Sequence, residues 1–122
     1  MSGAKSRRKG QRGELEFFNL MNSLLGADYF KRNLEQTRNG GADDDPTKHP
    51  YPVCVEVKRH KLVPLRPAQA QSIAAGEAVG RLPVLAYRDD GAPWRVCPIL
   101  TPEQFARFLK VSREVYDDEP PI

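Results

Sequence analysis

Across residues 53–58 apolar and polar side chains alternate, with Val53, Val55 and Val57 set against Cys54, Glu56 and Lys58. A period of two belongs to a strand, so this stretch is expected to form a half-buried β-strand with one apolar face. Such a strand cannot stand alone, and the remaining chain must supply neighbours and a covering layer. The alanine-rich run opened by Pro67 and closed by Gly80 predicts a helix through Val79, because Pro suits the first turn and Gly the end. Residues 82–87 and 94–99 are apolar runs around Arg88, Asp89, Asp90 and Gly91, which predicts a β-hairpin with a loop of four or five residues.

Upstream, Leu15, Phe17, Phe18, Leu20, Met21, Leu24 and Leu25 recur at three- and four-residue spacing. This predicts an amphipathic helix from Glu14 that ends at Gly26. Residues 29–37 are expected as a further strand, Asn39, Gly40 and Gly41 as a turn, and 49–52 as a proline-bounded loop. Thr101, followed by Pro102 and Glu103, is expected to cap a last helix running to about Lys110. The order is α, two or three strands, α, two strands, α. With 122 residues there is material for one core, so a single α/β domain is expected, with a mixed central sheet and flanking helices.

The ends differ in charge. Lys5, Arg7, Arg8, Lys9 and Arg12 crowd residues 1–12, which lack apolar periodicity and read as a flexible basic arm ahead of a domain over 13–112. Residues 113–122, with Asp117, Asp118 and Glu119, read as an acidic tail. A basic arm neutralises backbone phosphates and releases their counterions, although such a tail can equally be a solvated end. Cys54 and Cys97 form no CxxC or Cys/His pattern, so reduced thiols are expected, not a zinc site. No apolar run reaches the roughly 20 residues that span a bilayer, which gives the expectation of a cytoplasmic protein without membrane contact.

Two apart on one strand, Glu56 and Lys58 project from the same face while Val55 and Val57 pack behind. Alone, such a pair can be an exposed cross-pair. Asp43 lies after the glycine turn and can reach the edge of Glu56 if the two segments pair, which would gather hard oxygen ligands suited to Mg²⁺. The run Asp43, Asp44, Asp45 can also be a solvated turn, and the choice of ligand among the three stays open. Glu14 shares a helical stripe with Phe18, Met21 and Leu25 and so looks inward, either as a helix-start cap or toward a site, whereas Glu16 shares its face with Asn19 and Ser23. Gln71, among Ala68, Ala74, Ala75 and Ala78, is expected on a small-residue face toward the sheet. His49 and His60 are expected at the surface and Trp94 in the core. Arg59, His60, Lys61 and Arg66 form either a phosphate-binding extension or a solvated basic edge.

In order, Lys9-Gly10, Glu14, Arg38-Asn39-Gly40-Gly41-Ala42-Asp43, Glu56-Val57-Lys58 and Gln71 resemble the PD-(D/E)XK nuclease superfamily, in particular archaeal-type Holliday junction resolvases and small phage nucleases. Alanine stands where the family's motif has proline, and two further acids follow Asp43. The resemblance implies a restriction-endonuclease-like αβββαβ core. It implies that Glu14, Asp43 and Glu56 ligate Mg²⁺, with Mn²⁺ able to substitute, and that Lys58 positions the attacking water or stabilises the phosphorane, with Gln71 nearby. It further implies a homodimer that cuts opposed strands of branched DNA without an organic cofactor. Arg7, Arg8, Lys9, Arg12, Arg38, Arg59 and Lys61 are the expected DNA contacts. The expected activity is Mg²⁺-dependent hydrolysis of DNA phosphodiesters, foremost in a Holliday junction. The alternatives are a nickase or repair nuclease on flaps or duplex, and a non-catalytic DNA-binding module.

Overall fold

The computed structural model describes residues 3–34 and 43–118. Among them three α-helices flank a three-stranded mixed sheet, an α/β arrangement. Helix α1 is Gly3–Leu25. Strand β1 is Val53–His60, followed by α2, Leu65–Val79, and by β2, Leu82–Asp89. Strand β3 is Arg95–Pro98 and helix α3 is Pro102–Asp118. Strands β1 and β2 run parallel with Glu56 opposite Leu85, and β2 pairs antiparallel with β3. Parallel neighbours require a long crossover, which α2 supplies.

The alternation read from residues 53–58 sorts the two faces of the sheet. Val55 and Val57, with Val84 and Ala86 of β2, pack against Phe17, Phe18 and Phe30 on the α1 side. On the other face Cys54 meets Ala75 of α2, and Leu85 meets Ala68 and Val63. Helix α2 approaches closely because Gly76 has no side chain: an added Cβ would lie 2.8 Å from the Arg81 carbonyl oxygen. Gly80 then ends the helix in the left-handed conformation at φ 66°. At the start of α3 the Thr101 hydroxyl accepts from the Gln104 amide while the Gln104 side chain accepts from the Thr101 amide, a reciprocal cap.

Four expectations need correction. Helix α1 begins at Gly3, so residues expected as an irregular arm continue the helix; Arg, Lys and Gln are good helix formers without any apolar period. Helix α3 runs past Lys110 to Asp118, into the expected tail. The strand expected over 29–37 is reduced, within its described part, to one isolated bridge between Arg32 and Asp44. Gln71 is exposed, because the buried face of α2 consists of Ala68, Ser72, Ala75 and Gly76. The expected turn at Asn39, Gly40 and Gly41 lies outside the described residues. No helix of the described residues is long and apolar enough to cross a membrane.

Candidate active site

Strand β1 is the outer strand of the sheet, so the N–H groups of Val55 and Val57 point away from β2. They are met by carboxylates: Val57 N–H donates to Asp43 Oδ2 and Val55 N–H to Asp44 Oδ1, each at 2.7 Å. The Val55 carbonyl accepts from the amides of Asp43 at 3.1 Å and Asp44 at 3.4 Å. The segment at Asp43 and Asp44 thus docks on the strand carrying Glu56 and Lys58, meeting the condition on which the sequence reading brought Asp43 to that edge.

The three consecutive aspartates then separate by role. Asp44 is fully buried and paired with His49, and burial raises its pKa against the hydrogen bonds from Val55 and His49. Asp45 caps the short 3₁₀ turn Pro46–Lys48, accepting from the Thr47 amide and hydroxyl. Asp43 alone of the three lines an open cleft of about 690 Å³, together with Lys9, Arg12, Glu14, Lys58, Arg59 and Lys61.

Glu56 is 1 % exposed beside this cleft, and among the described residues neither of its oxygens has a hydrogen-bond partner. The Lys58 ammonium lies 4.0 Å from it. Burial, then the charge of Asp43, pushes the Glu56 carboxyl up to about 9, with Lys58 pulling the other way. Glu14 reaches the cleft from α1, where Gly13 lets the helix lie against Arg59 of β1. Burial and then the Asp43 charge push Glu14 up to about 7, although its Oε2 accepts from Arg32 Nε at 2.8 Å. Glu14, Asp43 and Glu56 therefore act on one another electrostatically, beside an ammonium. As the side chains stand, no group of three or more His, Cys, Asp or Glu among the described residues is gathered to hold a metal ion.

The basic residues divide. Lys9 is tied to Asp90 at 2.7 Å, and Arg59 to Glu16 at 3.1 Å. Arg12 and Lys61 are exposed on the cleft wall, and Arg8 is exposed on α1. Arg38 and the side chain of Arg7 lie outside the described residues. Gln71 does not line the cleft.

Two residues make contacts that the sequence did not foretell. Glu16, expected on the polar face of α1, accepts hydrogen bonds from Arg59, Arg88 and the Trp94 indole, joining α1 to β1 and β2. Against the upward push of desolvation, the bonds from Trp94 and Arg88 hold its pKa below the ordinary value. His49, expected at the surface, is buried in a ring cluster with Phe30 and Tyr51. Its one sequence signal was the neighbouring aromatic Tyr51. Trp94 packs on Phe17 at a ring-centroid distance of 5.1 Å, as expected of a core residue.

Fold and site together define an α/β protein with a buried acidic centre beside a cleft edged by basic side chains. No protein-family model matches the chain, and no curated protein does.

Proposed function

We propose that the chain is a metal-dependent DNA endonuclease with a PD-(D/E)XK-like core, acting foremost on Holliday junctions. The observation that carries this reading is Glu56: a carboxylate buried without a hydrogen-bond donor, faced by Asp43 and Glu14 and placed 4.0 Å from an ammonium. Ionising a carboxylate this buried, with a single ammonium 4.0 Å away, is costly, and a bound cation lowers that cost. The donors are all hard oxygens, the kind Mg²⁺ takes while keeping several waters and borrowing phosphate oxygens. That preference for retained water is compatible with acids that converge without forming a closed ligand set.

In this reading Glu14, Asp43 and Glu56 hold Mg²⁺ or Mn²⁺. When bound, the ion supplies positive charge at the scissile phosphate and lowers the pKa of a water from about 15.7 toward neutrality. Lys58 adds a point charge that stabilises negative charge developing on the phosphoryl oxygens. Arg12 and Lys61 bind flanking phosphates and orient the backbone in the cleft. Lys9 and Arg59 join them only by exchanging Asp90 and Glu16 for phosphate.

The test is incubation of the full chain with a labelled four-way junction and a matched linear duplex, in Mg²⁺, Ca²⁺ or EDTA. Cleavage of the junction in Mg²⁺ alone, with binding kept in Ca²⁺, is expected. Asp43→Asn and Glu56→Gln variants are expected to bind the junction within about threefold of wild type and to lose cleavage at least about 100-fold. Equal cleavage of duplex identifies a nickase or repair nuclease. Binding without cleavage under every metal identifies a DNA-binding module.

A further inference from the structure

We infer that His49 is a positioning residue of the acidic site: through Asp44 it fixes the open edge of β1, from which Asp43 and Glu56 are presented. This rests on reading Asp43 and Glu56 as ion ligands and adds to them a residue outside the cleft.

Among the described residues the outer edge of β1 is met by Asp43 and Asp44, through both side chain and backbone. Asp44 Oδ1 takes the Val55 amide and Asp43 Oδ2 takes the Val57 amide, on either side of Glu56 in sequence. The second oxygen of Asp44 lies 2.6 Å from His49 Nε2. Both side chains are 0 % exposed, so water cannot substitute for either partner.

The direction of that bond follows from its far end. The Tyr51 amide donates to His49 Nδ1 at 3.2 Å, so Nδ1 is an acceptor and carries no proton. Nε2 therefore carries the proton of a neutral ring and donates it to Asp44. The ring is held by Phe30 at 4.7 Å and Tyr51 at 5.8 Å between centroids. Phe30 is itself anchored, because Asn22 of α1 accepts from its amide at 2.7 Å and donates to its carbonyl at 2.9 Å. A continuous set of contacts thus runs from α1 through Phe30 and His49 to Asp44 and the strand edge. Without the Nε2 donor, that Asp44 oxygen is left buried without its partner, and re-pairing it shifts the segment shared with Asp43.

Two variants of the full chain separate the bond from the ring. His49→Phe keeps an aromatic ring for Phe30 and Tyr51 but has no donor; His49→Gln keeps a donor and loses the ring. Loss of a group that orients ion ligands typically weakens binding or turnover about 10- to 100-fold, and His49→Phe is expected to lose this much in Mn²⁺ affinity and in junction cleavage. Its Val55 amide is expected to exchange hydrogen faster. His49→Gln is expected to stay within about threefold of wild type on both counts. In the unaltered protein, ¹⁵N spectra of the ring are expected to show the neutral Nε2–H tautomer at pH 7, a readout that needs no variant to fold.

His49→Phe matching wild type in Mn²⁺ affinity and cleavage overturns the inference while leaving the nuclease reading intact. So does His49→Gln falling as far as His49→Phe, or a ring protonated at Nδ1. A wild-type protein that binds no Mn²⁺ and cuts no DNA removes the nuclease reading itself, and the positioning role with it.

Discussion

Glu56 illustrates how one residue can make stability depend on pH. In the metal-free protein Glu56 and Glu14 hold their protons up to about 9 and about 7, whereas an unfolded chain releases them near 4.5. Between those limits the native state binds more protons than the unfolded state, so stability falls as pH rises. The contribution is fully present below about 4.5 and is lost as pH climbs through the two raised values. At pH 8 in EDTA, Glu56→Gln is expected to be more stable than wild type by on the order of 2 kcal/mol, since each unit of pKa difference is about 1.4 kcal/mol and the vacated charge is partly relaxed. The gap should close near pH 5. Urea midpoints across this range are the measurement, and a wild-type midpoint independent of pH from 5 to 8.5 contradicts the raised pKa of the buried Glu56.

Among the elements, close packing and open surface predict opposite outcomes for the same substitution. Gly76→Ala puts a methyl 2.8 Å from the Arg81 carbonyl and 3.0 Å from the Pro83 ring, where backbone must move. A loss of about 1–3 kcal/mol is expected. Gly10→Ala meets nothing within 4 Å on α1 and should stabilise by up to about 1 kcal/mol through helix propensity. Denaturant unfolding of both variants checks the pair, and a neutral Gly76→Ala would mean that α2 can retreat from the β2 edge. What the sequence made legible follows the same division between local and distant causes. The β1 alternation, the Gly80 boundary and the Thr101 cap are local signals that placed β1, the end of α2 and the start of α3, whereas α2 begins at Leu65, two residues before Pro67. The face of α2 was misjudged at Gln71 because alanine is comfortable both inside and out and carries little information about direction. His49 was misjudged and the partners of Glu16 were missed because those partners, Phe30 and Asp44 in one case and Arg88 and Trp94 in the other, arrive only through tertiary contacts. The shared face of Glu56 and Lys58 was legible because β1 obeys the two-residue period of a strand.

At the scale of the whole molecule, the apolar face of α3 is left uncovered among the described residues. Phe105, Phe108, Leu109, Val111 and Val115 are each about half exposed. The two phenylalanines alone present roughly 200 Å² of apolar surface, and the five residues on the order of 400 Å². A second copy laid against this face would remove about twice that area, before any polar rim is counted, which approaches the roughly 1,000 Å² expected of a specific interface. This supports pairing through α3 as the form of the expected homodimer, because a symmetric pair covers both faces at once. Phe108 tests it well: its recorded ring contact is with Phe105 on the same helix, so its replacement disturbs little of the sheet core. Phe108→Asp, present in both copies, is expected to weaken self-association at least about 1,000-fold, corresponding to about 200 Å² of lost burial at roughly 25 cal/mol per Å². Thermal stability of the dissociated chain should change little. Sedimentation equilibrium distinguishes the outcomes: a monomeric wild type at high protein concentration, or a Phe108→Asp variant that associates as tightly as wild type, excludes α3 as the dimer surface.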